Sequence, residues 1–115
     1  MQLTFQDIAD TRVIVVGDNR IDAAIAISFK DRMRELTETG PNRILVDMTC
    51  VDFIDSSGLG AIVAAMKQVA DSKSLELANL SSTVKKVFRL TRMDTVFAIH
   101  PSIDAAIGGG IANAG

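Results

Sequence analysis

The apolar pattern changes period twice across residues 43–69, and this limits the folds open to the chain more than any other feature. Arg43 to Met48 is a short apolar run with one acid, Asp47, bounded by turn signals. Such a run suits a buried strand. Thr49 to Ser57 has no period. Leu59, Ile62, Val63, Met66 and Val69 then recur at i, i+3, i+4, i+7 and i+10, the spacing of one helix face, and the helix should end near Asp71-Ser72. A buried strand that passes through a loop into an amphipathic helix is the building unit of a largely parallel α/β sheet.

The rest of the chain continues this alternation. Leu3, Phe5 and Ile8 alternate with polar neighbours, Asp10-Thr11 is a turn signal, and Arg12 to Val16 is rich in β-branched residues. These read as two strands of an antiparallel hairpin, broken by Gly17-Asp18-Asn19. A helix is predicted from Asp22, its N-cap, to Thr37, with Ile25, Phe29, Met33 and Leu36 on one face, and Gly40-Pro41 stops it. Leu75 to Ala78 reads as a strand, Ser82 to Arg92 as a helix, and Val96 to Ile99 as a last strand. Ser102 then caps a helix carrying Ile103, Ala106 and Ile107, and residues 108–115 are expected to fray. The order β-β-α-β-α-β-α-β-α predicts one α/β domain over residues 1–115, with right-handed crossovers between its parallel strands.

Composition narrows the function classes. A net charge of −2 argues against a nucleic-acid footprint or a polybasic membrane patch. Lys85, Lys86, Arg89 and Arg92 recur at helical spacing, which reads as a solvated face. Cys50 is the lone cysteine and His100 the lone histidine, so neither an internal disulfide nor a Cys/His metal cluster is expected. Met1 to Phe5 has no basic segment leading into an apolar core, and no apolar run reaches membrane-spanning length. A soluble cytoplasmic protein is expected, without membrane insertion.

The stretch from Val51 to Gly60, Val-Asp-Phe-Ile-Asp-Ser-Ser-Gly-Leu-Gly, lies where a strand's carboxyl end meets a helix start. A helix N-terminus offers unpaired N–H donors and partial positive charge, so a phosphate on Ser56 or Ser57 would be partly stabilised there, against repulsion from Asp55 and Asp52. Gly58 and Gly60 leave the backbone open to a partner. The plain alternative is that a serine caps the helix and the glycines serve the turn. Other chemistry lacks its parts. No GxxxxGK[ST] loop and no GxSxG elbow is present, and a triad would have to recruit His100 beside Pro101. Asp47, Asp52 and Asp55 sit in a strand and a turn rather than a metal loop. Cys50 has no basic neighbour to activate it and reads as a small buried or half-buried residue.

Ile44-Leu45-Val46-Asp47, followed by Val51-Asp52-Phe53-Ile54-Asp55-Ser56-Ser57-Gly58-Leu59-Gly60, resembles the hallmark of STAS domains, in particular the bacterial anti-sigma factor antagonists. The resemblance runs through Gly17 to Asp22, Leu80-Ser81 with Val84, Val87 and Phe88, and Phe97 to Ala106. It implies a STAS-type single domain: a mixed, mostly parallel sheet of four or five strands, with four helices packed mainly on one side. It also implies a phosphorylation switch rather than an enzyme, with no cofactor and no metal. In such proteins a serine-kinase anti-sigma factor modifies the serine after the motif aspartate, which here is Ser56. The unmodified antagonist binds the anti-sigma factor and releases sigma, and a PP2C-type phosphatase restores it. The resemblance makes Ser57 the helix cap and gives Asp55 the task of positioning the loop. The implied contact surface comprises Asp52, Asp55, Ser56, Ser57, Gly58, Leu59 and Gly60, with Asp22 from the preceding turn and Lys67 at the rim. That turn is longer than the family's, and Asp18 is an alternative to Asp22. Two other readings stay open. One is a non-phosphorylated scaffold subunit of a transporter or stress-signalling complex. The other is an anion or nucleotide sensor, for which the chain offers no Tyr or Trp. Oligomeric state is left open.

Overall fold

The computed structural model describes residues 2–108. The elements in order are β1 (Leu3–Ile8), β2 (Thr11–Val16), β3 (Arg20–Ile21), α1 (Ala26–Thr37), β4 (Arg43–Asp47), β5 (Phe53–Ile54), α2 (Ser56–Val69), β6 (Ser74–Ala78), α3 (Ser82–Leu90), a 3₁₀ turn (Met93–Thr95), β7 (Ile99–His100) and α4 (Ile103–Ile107). The five-stranded sheet has the order β1-β2-β4-β6-β7. Its β1–β2 pair is antiparallel, closed by Ala9-Asp10 with Ile8 opposite Thr11, and the other pairs are parallel. A second sheet joins β3 to β5 in parallel, Arg20 beside Phe53 and Ile21 beside Ile54.

Strand alternation sorts the core into two layers. Ile14 and Val16, Ile44 and Val46, and Leu75 and Leu77 face α1, α2 and α3, where they meet Phe29, Met33, Ile62, Val84 and Phe88. Val13, Leu45 and Ala78 face the other way and are covered by Ile103, Ala106 and Ile107 of α4. Three helices therefore share one side of the sheet and the short α4 takes the other.

Three boundaries and one burial differ from the sequence expectation. The first helix starts at Ala26 rather than Asp22, because the Asp22 carboxylate accepts the Ala24 N–H at 3.1 Å and the Asp22 carbonyl accepts the Ile25 N–H at 3.1 Å, closing a turn instead. β4 stops at Asp47, whose carboxylate accepts the Thr49 N–H at 3.0 Å and an N–H of the Asn79 amide at 3.2 Å and so bends the chain. The last strand is Ile99–His100 rather than Val96 to Ile99. Residues 93–95 form the 3₁₀ turn, and Phe97 buries itself edge-on against Phe88 at 5.8 Å before the chain reaches β6. Cys50, read as buried or half-buried, is exposed. Of the tail expected to fray, residues 109–115 lie outside the described residues.

Candidate functional site

Two loops converge at the carboxyl end of the sheet, one leading into α1 and one into α2. They are joined by β3 and β5, by the Asp52 N–H donating to the Asn19 carbonyl at 2.7 Å, and by the Asp55 N–H reaching the Ile21 carbonyl at 3.4 Å. The join is close enough to require Gly58. A Cβ there would lie 1.9 Å from the Ile21 carbonyl oxygen, nearer than any side chain can approach. Gly60 has nothing within 4 Å of the same position, so its openness serves exposure and not packing.

Asp55 is the N-cap of α2, which corrects the assignment of that role to Ser57. Its extended backbone (φ −103°, ψ −175°) lets Oδ1 accept the Gly58 N–H at 2.8 Å. Oδ2 accepts the Ala23 N–H at 3.2 Å from the other loop. One carboxylate thus closes the first turn and holds the two loops together. The consequence for the serines is direct. Ser56 and Ser57 are exposed, and among the described residues neither hydroxyl makes a hydrogen bond. Their backbone N–H groups, at the start of the helix, also have no acceptor among these residues. The site therefore presents two hydroxyls and two amide donors on a rigid frame that does not need them.

Asp22, Asp52, Asp55, Ser56, Ser57, Gly58, Leu59 and Gly60 all gather on these loops and the first turns of α2. Asp52 is exposed, Asp22, Asp55 and Leu59 are half-buried, and Gly58 is buried under Ile21. Lys67 is not brought to them. It is exposed in the last turn of α2, about 16 Å from Ser56 along the axis at ~1.5 Å per residue. Asp18, the alternative acid, has its carboxylate on the Gln2 N–H at 2.6 Å.

Two residues of the expected loop and turn, not singled out from the sequence, stand on this face. Phe53 is 43% exposed, and the Arg20 guanidinium lies 5.5 Å from its ring centroid and 3.5 Å from the Asp22 carboxylate. An aromatic residue between Asp52 and Asp55, beside the core residues Val51 and Ile54, was the available signal. Arg20 was not legible, because it meets Phe53 only through the long-range β3–β5 pairing. The face is otherwise acidic, with Asp22, Asp52 and Asp55 around the serines.

The lone histidine belongs elsewhere. His100 Nε2 lies 2.7 Å from Glu76 on the α4 side of the sheet. Arg43 grips both Glu76 oxygens, at 3.0 and 2.9 Å, and donates to the Ala106 carbonyl of α4 at 2.8 Å. The Arg43 guanidinium holds the Glu76 carboxyl below its ordinary value of 4.5. Partial burial opposes this, and His100 adds to the lowering. Among the described residues no group of three or more His, Cys, Asp or Glu side chains is placed to hold a metal ion, and no helix is long and apolar enough to cross a membrane.

A mixed sheet with one helix layer, a hairpin at its edge and a serine-bearing helix start braced by a neighbouring loop defines a class of small α/β domain. The sequence profile of the STAS domain matches residues 3–106, and the chain belongs to the STAS domain family. It is similar to the anti-sigma-F factor antagonist RsfB of Mycobacterium tuberculosis, 22% identical over 93% of this chain and 87% of that protein. It is 27% identical to the anti-sigma-B factor antagonist of Bacillus subtilis, over 85% of this chain and 88% of that one. The crystal structure of an anti-sigma factor antagonist from Mycobacterium paratuberculosis shares the fold, with a TM-score of 0.83 at 19% identity, covering 94% of this chain and 92% of the other.

Proposed function

We propose that this protein is an anti-sigma factor antagonist that works by binding rather than by catalysis. Its unmodified form docks on a serine-kinase anti-sigma factor and releases sigma. Phosphorylation of Ser56 ends the docking, and a PP2C-type phosphatase reverses it. The observation that carries this reading is the division of labour at the start of α2: Asp55 takes the cap, leaving the Ser56 and Ser57 hydroxyls outward and unbonded among the described residues. A serine kept only as a cap would have its oxygen on a backbone N–H. The docking face comprises Asp52 and Phe53, the first turns of α2 from Ser56 to Gly60, and the Arg20–Asp22 turn.

The charge arithmetic suits a switch. A phosphate adds about −1.5 to −2 charges at pH 7, on a face that already carries Asp22, Asp52 and Asp55. In a docked interface this charge must be desolvated or paired, and leaving it unpaired costs roughly 3–5 kcal/mol. That corresponds to a loss of several hundred-fold or more in affinity. Because the loop is already braced, no rearrangement is required of the antagonist.

The test pairs the purified chain with the serine-kinase anti-sigma factors of its own genome and ATP, and maps phosphate by mass spectrometry. Phosphate on Ser56 is expected. Ser56→Ala should retain binding and Ser56→Asp should lose it. Absence of phosphate from both serines with every such kinase, or equal binding by the two variants, would overturn the switch and favour a scaffold role.

A further inference from the structure

The basic residues first read as a solvated face form a surface of their own. Lys85, Lys86, Arg89 and Arg92 are exposed, and among the described residues none has an ion-pair partner. The other arginines, Arg12, Arg20, Arg32, Arg34 and Arg43, each meet a carboxylate, whereas among the described residues Lys30, Lys67 and Lys73 do not and lie scattered elsewhere in the fold. The clustering occurs in a chain whose net charge is −2. Two details run against the interest of the fold alone. Lys85 and Arg89 stand at i and i+4 on α3, where like charges repel, and α3 has no acid in its first turn. Arg92 follows α3 in the left-handed region (φ 61°), the position at which helices usually place glycine.

Apolar surface accompanies the charge. Lys85 and Arg89 flank a groove of about 290 Å³ between α3 and the chain leading to β7, lined also by Phe88, Ile99 and Asp94. Phe88 and Ile99 make its apolar floor, and Asp94 is the one acid among its lining residues. β7 is the outer strand of the sheet, so among the described residues no further strand covers this side.

We infer that the α3–β7 groove is a second docking surface, separate from the serine-bearing face, and that it receives an acidic amphipathic helix of a partner protein. Carboxylates of that helix pair with Lys85, Arg89 and Arg92, and an apolar side chain of it enters the groove over Phe88 and Ile99. Complementarity of charge selects the acidic character, and the apolar floor of Phe88 and Ile99 selects an apolar face over a purely ionic ligand.

The probe is a short fluorescein-labelled peptide of Glu and Leu at amphipathic helical spacing, titrated with the full chain by anisotropy. Binding that weakens as salt rises is expected. Lys85→Glu should weaken it about tenfold or more, as should Arg92→Gly to a smaller extent. Both variants should keep or raise the melting temperature, since the first creates a favourable i, i+4 pair and the second relieves a left-handed backbone. Ser56→Asp should bind the peptide like the parent. No salt-dependent binding by the parent, or unchanged binding by both groove variants, overturns the inference. So does tighter binding to phosphatidylserine vesicles or a single-stranded oligonucleotide that Lys85→Glu abolishes. Salt-dependent self-association in sedimentation, abolished by the same substitution, would overturn it in favour of a second copy of this chain.

Discussion

Gly58 and Gly60 lie close together in α2 and should answer the same substitution with opposite signs. Glycine to alanine within a helix gains up to about 1 kcal/mol from backbone propensity. At Gly60 a Cβ meets nothing within 4 Å, so Gly60→Ala should stabilise the domain by about 1 kcal/mol, or ~4 °C in melting temperature. At Gly58 the Cβ would stand 1.9 Å from the Ile21 oxygen and 2.7 Å from its carbonyl carbon, both backbone atoms, whereas ordinary contact begins at 3.4 Å. α2 and β3 must separate to admit it. That separation strains the Asp55 N–H bond to Ile21, already 3.4 Å, and the Ala23 N–H bond to Asp55 at 3.2 Å. Overpacking costs about 1–3 kcal/mol and each hydrogen bond about 1 kcal/mol. Set against the propensity gain, the net loss is about 2–4 kcal/mol, or ~8–16 °C. The chain has no Trp, so urea unfolding followed by far-UV circular dichroism is the suitable assay, with unchanged slopes confirming comparable unfolding. Gly58→Ala should also speed amide exchange at Ala23. A stabilisation of equal size in both variants would refute the close approach of α2 to β3.

Three further outcomes follow from the same geometry. Asp55→Ala should destabilise by about 2 kcal/mol, through loss of the cap and of the Ala23 bond. Asp55→Asn retains a capping oxygen and should lose about half as much, with Gly58 amide exchange protected in the Asn variant only. The folded-state pKa of Glu76 is lowered, so its contribution is complete above its ordinary value of 4.5 and is lost as pH falls through the folded value. The stability gap between the parent and Glu76→Gln should therefore be widest near neutral pH and narrow on acidification below about 4.5, as urea midpoints across pH will show. Arg92→Gly should stabilise by about 1 kcal/mol, because a left-handed residue other than glycine costs roughly that much. A destabilised variant would show that the Arg92 side chain supports the fold.

Local pattern carried most of the architecture. The apolar stripe from Leu59 to Val69 predicted α2, and the run from Arg43 predicted β4, because both depend on periods that neighbours along the chain enforce. The site was legible as a place and less so as a mechanism. Asp55, Ser56 and Ser57 are all competent N-caps, and nothing local ranks them. Asp55 takes the role while its other oxygen binds the Ala23 amide, 32 residues away in the chain. That same amide lies in the turn from which Asp22 was expected to open the helix, so one tertiary bond accompanies both misplacements. β3 and β5, two residues each, are too short to show a period. β7 escaped because Val96 and Phe97 have strand-like composition, yet Phe97 is committed to packing on Phe88.

The double grip of Asp55 also bears on how fast a partner can be engaged. A loop that orders only on contact loses about 1–2 kcal/mol of backbone entropy per residue fixed, and association slows when binding waits on a conformational change. Here the residues around the serines are held before any encounter by β3, β5 and the two carboxylate bonds. The docking proposed for this face would then meet a surface already formed. Its rate would follow diffusion and the field of Asp22, Asp52 and Asp55. Those acids steer a basic surface inward from solution and lose their reach as ionic strength shortens the Debye length.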